Sequence, residues 1–268
     1  MEFLLIVIVA VIVGLAGSML GIGGGLMLIP ILTLFFDVPM KTAIGASLVS
    51  VIATSSAAQL VYVRSGLTHV RLGMSLEVTT ALGALAGALV AVYLPARALQ
   101  GIFVLLLIYA AVAMSGRRAA EAEFLPTGSL DTRYVDPATS EQVDYGVRRL
   151  PLGMVLSFSA GNLAGLLGVG GGLVQVPLMN LVMDVPLKAA FATSNFMIGV
   201  TAATGAAVYF SRGLIDPRIA VPVALGVLVG AQLGPRLAGR LQTATLRWGF
   251  RIVMLVFAVQ MAWKVVAG

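Results

Sequence analysis

The run Gly21-Ile22-Gly23-Gly24-Gly25-Leu26 lies inside an apolar stretch, and Gly168-Val169-Gly170-Gly171-Gly172-Leu173 repeats it 147 positions later. The same offset of 147, without a gap, pairs Pro30 with Pro177, Asp37-Val38-Pro39 with Asp184-Val185-Pro186, and Lys41 with Lys188. It continues through Ser47 and Ser194, Thr54 and Thr201, Tyr62 and Tyr209, Gly66-Leu67 and Gly213-Leu214, and Arg71 and Arg218. Gly83-Ala84 and Gly87 still match Gly230-Ala231 and Gly234. An ungapped match of this length is expected of an internal duplication, not of shared composition. Each cluster interrupts a hydrophobic segment, and interrupted segments at matching places in two halves are the sequence sign of a transporter's binding site.

Apolar residues fill 59% of the 268 positions, charged residues only 10%, and mean hydropathy is +1.03. A soluble fold needs more polar surface than that, whereas lipid-facing helices need none. The composition predicts an all-α polytopic membrane protein in contact with the lipid bilayer. The basic residues behind the net charge of +6 stand singly between apolar spans. That argues against nucleic acid and suits topology determinants and headgroup contacts. With no cysteine and one histidine, His69, disulfides and thiolate metal sites are excluded. No cofactor is expected: no strand pattern precedes the glycines and no Gly-Lys-Ser/Thr follows them, which argues against a nucleotide loop. The apolar N-terminus carries Glu2 and no basic side chain ahead of it, and Gly14–Leu20 aligns with Gly161–Leu167 in mid-chain. It reads as a retained segment, not a cleaved leader.

Residues 2–36 are too long for one ordinary span, reaching ~50 Å at ~1.5 Å per residue against a core of ~30 Å. The glycine cluster is the natural break, giving helices over about 2–20 and 26–36, either two crossings or one re-entrant hairpin. Helices of about 42–63, 73–94 and 99–115 follow, and the second half replays them near 151–167, 173–183, 189–210, 219–241 and 245–266. This divides the chain into a first membrane repeat, 1–115, a polar linker, 116–150, and a second repeat, 151–268, with about four to five membrane segments in each half. The linker holds six of the eleven acidic residues, with Pro126, Gly128 and Pro137 breaking any long helix, and reads as mobile.

Basic residues bear on whether the halves are parallel or inverted. With an odd number of crossings per half, the linker side collects Arg64, Arg71, Arg117, Arg118, Arg133, Arg148, Arg149, Lys188, Arg236, Arg240, Arg247 and Arg251. That is twelve against five (Lys41, Arg97, Arg212, Arg218 and Lys264), whereas an even number gives ten against seven. The positive-inside rule therefore favours inverted halves in the cytoplasmic membrane, with the linker cytoplasmic and both termini outside.

Consecutive glycines within a membrane segment leave backbone amides exposed at the start of the next helix, where the helix dipole attracts anions. With inverted halves the two helix starts face one site near the midplane, placing Gly23, Gly24 and Gly25 opposite Gly170, Gly171 and Gly172 around a small anionic substrate. The alternative role for such glycines is close helix packing. Ser47 and Thr54, and opposite them Thr193, Ser194, Asn195 and Thr201, supply hydroxyl and amide donors without a fixed charge. Their alternative role is bonding to their own helix or gluing helices together. Glu77 is the main fixed charge within a span and suits either an interfacial pair with Arg71 or proton coupling. His69 reads as a solvated loop residue, and Tyr62, Tyr209, Trp248 and Trp263 as interfacial anchors. No nucleophile–base pair appears, so an enzyme is not expected.

The duplicated pattern G-x-G-G-G-x-x-x-x-P, V-P-x-K-x-A, then A-S or T-S-N, resembles the sulfite exporter TauE/SafE family of membrane permeases. Here it reads Gly21 to Pro30, Val38-Pro39-Met40-Lys41-Thr42-Ala43 and Ala46-Ser47, then Gly168 to Pro177, Val185-Pro186-Leu187-Lys188-Ala189-Ala190 and Thr193-Ser194-Asn195. The resemblance covers the chain except the linker and implies a secondary transporter for small sulfur-containing anions such as sulfite or organosulfonates. A coupling proton or ion and an oligomer are both compatible with it. Ser47-Leu48 stands where the second half has Ser194-Asn195, so the half-sites are unequal and the second is the richer in polar contacts. An anion channel or a transporter-like sensor on the same scaffold is the competing class; a carrier saturates and exchanges its substrate, whereas a channel leaks.

Overall fold

The computed structural model describes residues 2–19, 23–113, 130–136, 140–238, 248, 252 and 254–263. Nearly all of them are helical. The first half forms α1 (Glu2–Met19), α2 (Gly25–Phe35), α3 (Met40–Arg64), α4 (Val70–Tyr93) and α5 (Ala96–Ala113). A two-stranded hairpin, β1 (Thr132–Val135) and β2 (Gln142–Tyr145), precedes the second half. There α6 (Leu150–Leu167) leads to α7 (Gly172–Pro177), which widens into a π-helical turn over Leu178–Val182, then α8 (Leu187–Ser211) and α9 (Pro217–Ala238). A last helix, α10, is Met254–Trp263. Apart from positions 248 and 252, the rest of the expected segment 245–266 lies outside the described residues, as do Gly21, Ile22 and positions 114–129 and 137–139.

Five of these helices are long and apolar enough to cross a bilayer: α3, α4, α6, α8 and the Pro217–Gly234 part of α9. Their outward faces carry exposed apolar side chains such as Val78, Leu82, Val155, Val200, Val221 and Leu225, which only a hydrocarbon surrounding accommodates in such number.

The glycine clusters break the chain as their backbone freedom requires. Gly23 and Gly24 stand at φ 72° and 74°, and Gly170 and Gly171 at φ 74° and 79°, left-handed values that cost other residues a Cβ clash. The chain turns back on itself at this point. Gly24 comes to lie beside Val13 and Gly17, and Gly171 beside Ala160 and Ala164. With 11 residues, α2 rises about 16 Å at ~1.5 Å per residue, roughly half of the ~30 Å core. That is shorter than a full crossing of the core requires. The end of α2 is set by Asp37 at φ 48°, matched by Asp184 at φ 57°, each before a Val-Pro pair whose proline opens the next helix.

Packing is exchanged between the halves. On α9, Gly226 abuts Val7 and Ala10, Gly230 abuts Val11 and Leu15, and Gly234 abuts Leu15 and Ser18, so α1 and α9 run parallel. Likewise α4 lies parallel to α6, with Gly83 against Phe158 and Asn162, Gly87 against Asn162, Gly161 against Thr80 and Gly165 against Ala84. Such small-residue seams bring backbones into contact where lipid supplies no hydrophobic drive to association. Between these pairs α3 and α8 cross antiparallel: Gln59 Nε2 donates to Phe196 O at 2.9 Å, Ser55 Oγ to Asn195 O at 2.5 Å, and Leu48 packs on Gly205.

One end of the bundle is tied by Lys41 Nζ to Val92 O (2.7 Å) and by Arg212 to the Tyr93 hydroxyl (2.9 Å). The other end carries the hairpin, a feature the sequence reading of 116–150 as a mobile linker did not anticipate. Tyr134 and Tyr145 pack edge to face and join a buried cluster with Tyr62, Leu72, Met179 and Val185, while Asp136 binds Lys188 Nζ at 2.5 and 2.7 Å. This burial also corrects the expectation for His69, which is only 6% exposed. Leu72 N donates to His69 Nδ1 at 3.2 Å, capping α4, which leaves Nε2 to donate to Leu130 O at 2.9 Å. Tyr62 and Tyr209 are buried too, bonding Ser18 O and Leu166 O, so they are not interfacial anchors; Trp248 and Trp263 are exposed.

Candidate functional site

The two glycine turns meet at the middle of the molecule. Gly23 abuts Val51 and Ile198, and so does Gly170, although Val51 and Ile198 belong to different halves and are themselves 147 positions apart. The helices α2 and α7 start directly after these turns, one in each half. Each begins after a left-handed glycine that makes no side-chain cap, Gly24 and Gly171. The first amides of a helix have no intrahelical carbonyl to bind, and their summed dipoles give that end partial positive charge. Ser47 joins the halves directly, its Oγ donating to the Gly168 carbonyl at 2.6 Å, and Gly25 packs against both groups.

The other polar candidates separate into distinct roles. Asn195, one turn before Ile198 on α8, is fully buried, Nδ2 donating to Phe191 O (3.1 Å) and Ser18 O (3.4 Å), with Oδ1 left without a partner. Ser194 is fully buried beside it. Thr54 bonds back to Ser50 O at 2.8 Å, the helix-bonding role. Thr193 faces the hairpin end, its Oγ1 accepting from His69 N at 2.9 Å. Thr201 donates to Glu77 Oε1 at 2.8 Å. Gly23, Gly25 and Gly170 thus meet around Val51 with Ser47 bonded across to Gly168, Gly24, Gly171 and Gly172 adjoin them along the chain, and Thr54, Thr193 and Thr201 hold hydrogen bonds with Ser50, His69 and Glu77.

Glu77 departs from expectation most sharply. It lies inside α4 at 8% exposure, bonded to Thr201 across the α4–α8 contact and not paired with Arg71. One turn on, Thr80 Oγ1 accepts from Gln175 Nε2 at 2.8 Å, and Gln175 Oε1 accepts from Ser157 Oγ at 3.3 Å. Sequence reasoning overlooked Gln175, Thr80 and Ser157. The available signal was asymmetry: their equivalents at the offset of 147 are Leu28, Val227 and Ala10, all apolar.

Comparison with known proteins agrees with this architecture. The profile of the sulfite exporter TauE/SafE family matches residues 6–261, and the chain belongs to that family. It is 28% identical to the probable membrane transporter protein YunE of Bacillus subtilis, over 98% of both chains. It is 25% identical to the probable membrane transporter protein YdhB of the same organism, covering 91% of this chain and 94% of that one. A probable membrane transporter protein of Methanocaldococcus jannaschii is 27% identical, over 92% of this chain and 91% of its own. No solved structure matches. The protein is therefore a multi-pass membrane protein of a transporter family.

Proposed function

We propose that the protein is a secondary transporter moving a small sulfur-containing anion, of the sulfite or organosulfonate type, across the cytoplasmic membrane by alternating access between two inverted halves. The observation that carries this is the convergence of two helix starts from opposite halves on Val51 and Ile198. Paired half-helices whose N-termini approach one midplane point suit an anion, and the pairing gives each half an equivalent share of it. The antiparallel crossing of α3 and α8, whose sequences match at the offset of 147, supports inversion, and the matching positive φ values support the repeat itself. The substrate class follows from the family's description as sulfite exporters.

The contact set proposed is the two glycine turns with Ser47, Ser194 and Asn195. Val51 and Ile198 fill the space between the turns, so substrate entry requires this pair to part. Rocking α3 against α8 does that while exposing one side at a time.

Purified protein in proteoliposomes tests the proposal with sulfite, an organosulfonate, sulfate, acetate and potassium. Saturable, exchangeable uptake of the sulfur anions is expected. Flux of potassium in preference to every anion, or anion flux that neither saturates nor exchanges, rejects the carrier.

A further inference from the structure

We propose that Glu77 is a proton-binding site that couples transport to a pH gradient, an inference that rests on the transporter reading above. Its carboxyl lies within a membrane-spanning helix, is 8% exposed, and has one partner, the Thr201 hydroxyl on Oε1. Oε2 is buried with no hydrogen-bond partner among the described residues. An unpaired carboxylate in such surroundings is expensive, so intramembrane acids mark ion and proton pathways. Ionisation there needs water or a cation at Oε2, which opening to one side of the membrane supplies. The chemistry is a single reversible step: the carboxylate takes a proton when open to one side and returns it to water when open to the other.

Among the described residues no other charge competes for this role nearby. Helix α6 contains no titratable side chain, nor does the segment from Gly172 to Val182. On α8 the titratable groups are Lys188, bound to Asp136, and Tyr209, bonded to Leu166 O. On α4 itself Arg71 is exposed and Tyr93 stands at the opposite end with Arg212, while His69 caps the helix start. A metal cation fits poorly, because among the described residues no group of three His, Cys, Asp or Glu side chains gathers to hold one. A proton needs no coordination shell.

The position also explains how proton binding reaches the substrate. Glu77 holds α8, and Thr80, on the same face of α4, holds Gln175, which sits in the helix that begins at Gly172. A change at the carboxyl is therefore relayed to the second glycine turn. The equivalents of Glu77 and Thr80 are Ala224 and Val227, so each chain carries one such site.

The test uses proteoliposomes, a radiolabelled organosulfonate that stays ionised over the pH range, and an imposed pH gradient with sodium replaced by potassium. Wild type is expected to accumulate the probe under the gradient; Glu77→Gln is expected to lose accumulation yet still exchange probe at zero gradient. Accumulation retained in Glu77→Gln, or dependence on sodium instead of pH, overturns the proposal. Infrared difference spectra taken against pH decide it independently of any transport. A buried carboxyl band that titrates in wild type, vanishes in Glu77→Gln and shifts its midpoint in Thr201→Val is expected. Absence of such a band overturns the site, even if the anions are transported. If the band is present but none of the anions moves, Glu77 stands as a proton site and the substrate assignment falls.

Discussion

At Gly25 a methyl group has nowhere to go: its Cβ would stand 2.5 Å from Ser47 Oγ and 2.8 Å from the Gly168 carbonyl. Gly25→Ala is thus expected to sever the Ser47–Gly168 bond and to lower the melting temperature in detergent. Gly24→Ala and Gly171→Ala confound folding with binding, because each forces a side chain into left-handed backbone at a cost of about 1–2 kcal/mol. Ser47→Ala separates the two, since it removes one hydrogen bond worth about 1 kcal/mol and adds no bulk. Near-native thermal stability with reduced anion uptake is expected; unchanged uptake would remove Ser47 from the site. How much of this was legible in the sequence depended on the reach of each residue. The glycine turns were readable because their demand is local, a backbone conformation that other residues resist. Of the two readings of Glu77, the pair with Arg71 failed because Arg71 is only its neighbour along the chain, whereas its partner Thr201 lies 124 positions away. His69 was misassigned for the same reason, its burial depending on Leu130 and Tyr145 of the hairpin.

At the scale of elements, the apolar spans and their Pro and Gly boundaries placed the helices closely: 42–63 was expected where Met40–Arg64 forms, and 189–210 where Leu187–Ser211 forms. The hairpin was invisible because its strands have four residues each and are rich in polar side chains. Nor did periodicity reveal which helix meets which, since lipid-facing and buried faces are both apolar. The glycines of α4, α6 and α9 held that information. A Cβ at Gly83, Gly161 or Gly230 would overlap the partner helix's backbone at Phe158, Thr80 or Val11. Backbone cannot give way as a side chain does, so each of these three changed to Ala is expected to cost at least the ~1–3 kcal/mol of overpacking. Gly101 in α5 meets nothing within 4 Å. Gly101→Ala is expected to be neutral or to stabilise by ~0.5–1 kcal/mol from helix propensity. Thermal unfolding of the four variants in one detergent checks the contrast, and equal losses would refute it.

At the scale of the whole molecule, the chain's lack of cysteine makes single-cysteine labelling direct. Ser140→Cys at the hairpin is expected to react with an impermeant maleimide only from the cytoplasm, and Arg212→Cys at the opposite end only from outside. Labelling of both from one side would remove the inverted arrangement. The exchanged packing also bears on how the protein is made. Helix α1 leaves the ribosome first, yet its partner α9 begins at Pro217, some 198 residues after Met19. At ~5–20 residues per second, α1 waits on the order of ten to forty seconds in the bilayer before its seam can close. Among the described residues α1 and α6 each find their main partner in the other half, so insertion and assembly are expected to be separate events in biogenesis. Two fragments cut at the linker should each enter the membrane, become protease-resistant only when synthesised together, and be cleared by quality control when made alone.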